Sequence, residues 1–250
     1  MGIKKELVLL AEPFMQKSLR PAIYGFVAIV LMLVYFFQGH RGFFAVHLAP
    51  LWLSGADAAQ IEWWGTLYQF ASAFLLFLVM PAVLLKFAAK EKLTDLGLGL
   101  GNIKYGSWVV VLGVILLAVP AGLTSGGMPG FAQEYPMAKI SVVSFERFIV
   151  YQLCYGLLYY AAWESFFRGF LQFGLSKHIG DIGAILVQTS ASTLLHIGKP
   201  INEVWAALLA GLLFGAVVLR TRSVWPLVVV HWVLGILTDL SSAHSSGIWP

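Results

Sequence analysis

Long apolar runs separated by short polar or glycine- and proline-rich stretches set the frame of this chain. Seven runs are long enough to be read as helices in lipid: about 21–37, 63–85, 107–123, a long one from near 143, 182–196, 204–219 and 224–240. The stretch 38–62 carries Phe43-Phe44-Ala45-Val46 and Leu51-Trp52-Leu53, which predicts a segment lying along the outer interface. The stretch 124–141, with Gly126, Gly127, Pro129, Gly130 and Pro136, predicts a break in the helical pattern. Ahead of the first run, Lys4, Lys5, Glu6, Glu12, Lys17 and Arg20 are interspersed with Leu7, Leu9, Leu10 and Phe14. That pattern, with no small-residue cleavage site, predicts a short interfacial helix over 1–20 rather than a signal peptide. The expected fold is all-α, a polytopic transmembrane bundle of about seven spans forming a single membrane domain over 1–250.

Composition sharpens this picture. Of the 250 residues, 59% are hydrophobic and 11% charged, against about 25% charged in a soluble domain. A net charge of +4, spread over loops, is a topology signal and not a nucleic-acid surface. With the N-terminus inside, the inner ends collect Lys4, Lys5, Lys17, Arg20, Lys86, Lys90, Lys92, Lys104, Arg168, Lys177, Arg220 and Arg222. The outer ends hold only Arg41, Lys139, Arg147 and Lys199, so the expected orientation is N-inside. A single cysteine, Cys154, excludes an internal disulfide and argues against a cysteine-ligated metal.

Against this background a few polar side chains stand out. Glu164 and Arg168 lie one helical turn apart inside Tyr159-Tyr160-Ala161-Ala162-Trp163-Glu164-Ser165-Phe166-Phe167-Arg168, in the favourable Glu-to-Arg order. A charge at bilayer depth is costly and marks a candidate site, although a structural salt bridge between helices is the plainer alternative. His196 ends the fifth run, with Ser192 and Gln188 on its helical face and Thr189 and Thr193 beside them. His231 sits inside the seventh run, with Thr238 on its face and Asp239 flanking, and Glu203 opens the sixth. One imidazole alone is usually just hydrogen-bonded to a neighbouring helix. Two, with a carboxylate, on three separate helices predict a shared site able to activate water. The same groups (Glu164, His196 and His231) are also a possible zinc set with an open position, although no HExxH helix is present. The expected cofactor is therefore none, or a divalent metal such as zinc.

At these residues the chain resembles the CPBP group of intramembrane proteases, which includes CAAX prenyl endopeptidases and bacteriocin-processing (Abi-type) relatives. The family's marks are Glu-Glu-x-x-x-Arg, Phe-x-x-x-His and His-x-x-x-Asn on three helices. Glu164 and Arg168 match the second Glu and the Arg, His196 the second motif and His231 the third, over roughly 143–240. Trp163 stands where the family has the first, water-activating Glu, Ser192 where it has Phe, and Gly235 where it has Asn. His196-Ile197-Gly198-Lys199-Pro200 with a following Glu203 is similar to a variant pattern with one Glu before the Arg.

The resemblance implies a catalytic core at 143–240 and an endopeptidase acting on a membrane-anchored or hydrophobic peptide. Glu164 would be the base, or Glu203 would supply the missing carboxylate. Arg168 would orient Glu164, Asp239 would support His231, and the two imidazoles would bind water and oxyanion. The implied setting is a bacterial inner membrane, with lipid and peptide as partners and no nucleic acid. The alternative is an inactive member serving as a membrane regulator, scaffold or immunity protein; a transporter-like reading lacks internal repeats. Simple alternation sets Glu164 near the inner end of its span and His196 near the outer end of the next. The two meet only if the fourth helix is long and tilted, at ~48 Å for 143 to about 175, or if His196 lies deeper than the end of its run.

Overall fold

A computed structural model describes residues 20–248, so the interfacial helix expected at 1–20 lies outside the described residues save for Arg20. Among the described residues every regular element is helical. In chain order these are α1 (Arg20–Gln38), α2 (41–52), α3 (Ala58–Phe87), α4 (Ile103–Ser125), α5 (145–179), α6 (181–194), α7 (Ile201–Thr221) and α8 (Trp225–Ser245). Short helical turns at Phe131–Glu134 and Lys139–Val142 lie in the α4–α5 connection. Helices α1, α3, α4, α7 and α8 are long and apolar enough to cross a membrane. With Phe26, Leu116, Ile182 and Leu209 turned outward, the molecule is an integral membrane protein. The other two expected spans correspond to α5 and α6, which hold the polar motif.

Local chemistry sets the ends of the helices that matter. Asp57 and Gln60 form a reciprocal capping box at the start of α3. Ser144 accepts from the Arg147 amide at 3.3 Å and opens α5. Gly180, at φ 76° and ψ 165°, ends α5 and turns the chain into α6, a conformation that costs glycine little. Helix α5 is thus ~52 Å long, and several of its turns, including 165–173, are widened to π geometry. Its length removes the depth conflict between Glu164 and His196, because Glu164 lies in the middle of the helix.

The bundle is held by aromatic packing and by hydrogen bonds between helices. Phe77 of α3 stacks on Phe166 of α5 at 4.5 Å, and Phe70 on Tyr155 at 4.7 Å. Gln188 donates to the Gly211 carbonyl and Gln172 to the Gly215 carbonyl, each at 2.8 Å, which ties α6 and α5 to α7. Such bonds contribute roughly 0.6–2 kcal/mol each in lipid. Helices α4 and α8 approach through small residues: a Cβ on Gly122 would lie 2.5 Å from that of Leu237.

Candidate active site

The charged pair on α5 is buried in the heart of the bundle. Glu164 has no exposure and Arg168 is 3% exposed, with guanidinium nitrogens 3.4 Å from each carboxylate oxygen. From α8, Nδ1 of His231 lies 2.8 Å from Glu164 Oε1. An ionised carboxylate only accepts, so Nδ1 carries the proton, and in the neutral imidazole Nε2 keeps its lone pair. Glu164 is therefore committed to Arg168 and His231 together.

His196 follows the last turn of α6, and its Nδ1 meets the Ser192 carbonyl at 2.7 Å. A carbonyl cannot donate, so this nitrogen too carries its proton and leaves Nε2 as the acceptor. The His196 and Trp163 rings meet at 84°, with centroids 5.3 Å apart, so the tryptophan at the first-Glu position of the resembled motif lies beside this histidine. Glu203, in the first turn of α7, accepts from the Tyr135 hydroxyl at 2.7 Å, and its Oε2 has no partner among the described residues.

Two adjoining cavities collect these groups. The larger, about 450 Å³, is mostly apolar: Ala121, Ala206, Ala210, Phe214 and Leu234 line it, with Ser192 and Thr238. His196, His231, Glu203 and Arg168 face it. The smaller, about 50 Å³, lies among Tyr135, Tyr160, His196, Lys199, Glu203 and His231. It is roomy enough for water and supplies the polar partners water needs. Both imidazoles and Glu203 thus border the same space, whereas Glu164 lines neither cavity.

The remaining expected residues fall into place around this centre. Ser192 lines the larger cavity and holds His196 through its carbonyl. Asp239 does not support His231: it accepts from Gln152 at 2.8 Å, on the α5 side of α8. Among the described residues, no group of three or more His, Cys, Asp or Glu side chains is disposed to hold a metal ion. Each ring's Nδ1 is engaged, by the Ser192 carbonyl in His196 and by Glu164 in His231, which leaves Nε2 as the free nitrogen of both.

The outer rim escaped the sequence reading. Lys199 pairs with Glu134, whose other oxygen accepts from Arg41 at 2.9 Å, while Arg41 also donates to the Met137 carbonyl at 2.6 Å. Burial raises the Glu134 carboxyl, but Lys199 and Arg41 outweigh it and hold its pKa below the ordinary 4.5. Tyr135 is anchored next to this pair, over the site. In the sequence Arg41 and Lys199 stand out only as two of the four basic residues assigned to the outer ends, and Lys199 as part of His196-Ile197-Gly198-Lys199-Pro200.

Residues 145–237 match the family model for the type II CAAX prenyl endopeptidase Rce1-like family, a segment that carries α5 to α7, the first part of α8, and Glu164, Arg168, His196, Glu203 and His231. Comparison with curated proteins and with solved structures returned no match.

Proposed function

We propose that the chain is an intramembrane endopeptidase of the CAAX-protease kind that hydrolyses a peptide bond of a membrane-associated substrate. The observation that supports this most directly is the convergence of His196, His231 and Glu203 on one small polar cavity beside a large apolar one. In this reading the base is Glu203, which borders the cavity, and not Glu164, which is sealed behind it. The groups that act in this reading are side chains of α7, of α8 and of the turn that follows α6. A water held by His196 Nε2 loses its proton to Glu203 as its oxygen adds to the scissile carbonyl carbon. The proton passes to His231 Nε2, where Glu164 stabilises the imidazolium, and then to the leaving nitrogen as the C–N bond breaks. Glu164 and Arg168 are positioning residues, acting through His231.

The apolar cavity receives the hydrophobic part of the substrate. The N-terminus is cytoplasmic and the setting a bacterial inner membrane. The test is cleavage of a prenylated or otherwise lipid-anchored fluorogenic peptide by the protein in proteoliposomes. Wild type is expected to cleave, with Glu203→Gln and His196→Ala each about 100–10,000-fold slower. Equal background signal from all three would overturn the reading.

Trp163 supports a second reading, a non-catalytic regulator that keeps the fold. It predicts that cellular phenotype survives Glu203→Gln and is lost only when helices are deleted.

A further inference from the structure

Several donors around the two cavities are committed, and of the phenols other than Tyr135 that line the smaller one (Tyr155, Tyr159 and Tyr160) Tyr160 alone also lines the larger. Both histidines place their Nδ1 hydrogens on fixed acceptors, Ser192 and Glu164, so each neutral ring offers only a lone pair. The Tyr135 hydroxyl is spent on Glu203, Lys199 on Glu134, and Arg168 is turned to Glu164. Adding water to a carbonyl moves the π pair onto its oxygen, and that developing charge needs a donor. Tyr160 of α5 lines both cavities, and its ring lies 4.4 Å from that of His231. Its hydroxyl fits there because position 235 on α8 has no side chain: a Cβ on Gly235 would lie 2.2 Å from Tyr160 Oη.

We propose that Tyr160 is a further catalytic residue, its hydroxyl donating to the carbonyl oxygen of the scissile bond as that oxygen becomes an oxyanion, with Gly235 as the residue that makes room for it. The phenol stays neutral throughout. It donates a hydrogen bond, keeps its proton, and releases the oxygen when the tetrahedral carbon collapses and the C–N bond breaks. This rests on the peptidase reading, and the glycine at 235 becomes part of the machinery.

The experiment compares wild type, Tyr160→Phe, Tyr160→Ala and Tyr160→Ala/Gly235→Asn in proteoliposomes with the same peptide, alongside melting in detergent. Tyr160→Phe keeps the ring and loses only the donor. Its kcat should fall about 100–1000-fold at unchanged KM and unchanged melting temperature. A peptidyl phosphonate, whose charged oxygen mimics the tetrahedral state, should lose affinity in proportion. The side-chain amide introduced at position 235 in the double variant should restore part of the activity that Tyr160→Ala loses. A Tyr160→Phe protein with kcat within about threefold of wild type, or one impaired only through melting, overturns the proposal while leaving the peptidase reading intact. An inactive wild type overturns both.

Discussion

Glu164 and Glu203 divide two tasks that a single carboxylate cannot perform together. The first neutralises a buried guanidinium and holds an imidazole; the second, with one oxygen free, faces the cavity. Removing Glu164 should therefore act first on stability: Glu164→Ala leaves Arg168 buried and unpaired and should cost about 3–5 kcal/mol. Thermal unfolding in detergent would read this as a clear drop in melting temperature. Glu203→Gln should leave melting nearly unchanged and remove turnover, and adding His196→Ala to it should slow turnover little further, because groups that act as a unit are not additive. The motif residues were legible because charged and imidazole side chains are rare in apolar runs. Their division of labour was not, because periodicity says which face a residue takes and not what stands opposite. Asp239 illustrates the limit. Eight residues from His231 places it ~80° round the helix, enough to reach Gln152, whereas Thr238, at seven, stays on the cavity side.

Among the elements, the α4–α5 connection governs the roof of the site. The sequence marks 124–141 as a break, and so it is, but its order comes from contacts with distant parts of the chain. Arg41 and Lys199 grip Glu134, and Glu62 accepts from the Lys139 amide at 2.9 Å. Partners so far apart in sequence leave no local pattern to read. Glu134→Gln should loosen this connection, seen as faster amide hydrogen exchange over 131–139, with α7 and α8 unchanged. The pH dependence follows from the lowered pKa. The Glu134 contribution is fully present above the ordinary 4.5 and is lost as pH falls through the lower folded value. Acidification through that lowered value should thus mimic the substitution, and the substituted protein should show no further loosening from this source.

At the scale of the whole molecule, hydropathy located the seven longer helices to within about five residues, since lipid leaves the backbone few choices, but not α2, which lies in the stretch read as an interfacial segment. What it missed was the geometry of the pair α5 and α6. Charged and polar positions interrupt their apolar patterns, and the break at Gly180 falls where no proline or long loop announces it. The proposed orientation has a direct test. With Cys154 replaced by Ala, a lone cysteine at exposed position 104 should react with impermeant thiol reagents only from the cytoplasmic side, and one at exposed position 147 only from the opposite side. The reverse pattern would invert the topology.

The four-residue spacing of Glu164 and Arg168 also bears on biogenesis. A lone ion at the centre of a nascent helix opposes its partitioning from the translocon by roughly 2.5–3.5 kcal/mol. Because α5 carries its own counter-ion one turn away, it can enter lipid as a near-neutral unit before α8 has been synthesised, and His231 joins later. Glycosylation mapping of truncated chains ending after α6 should show normal insertion with the pair intact, and a share of uninserted chains for Arg168→Ala that is absent from Glu164→Gln/Arg168→Met.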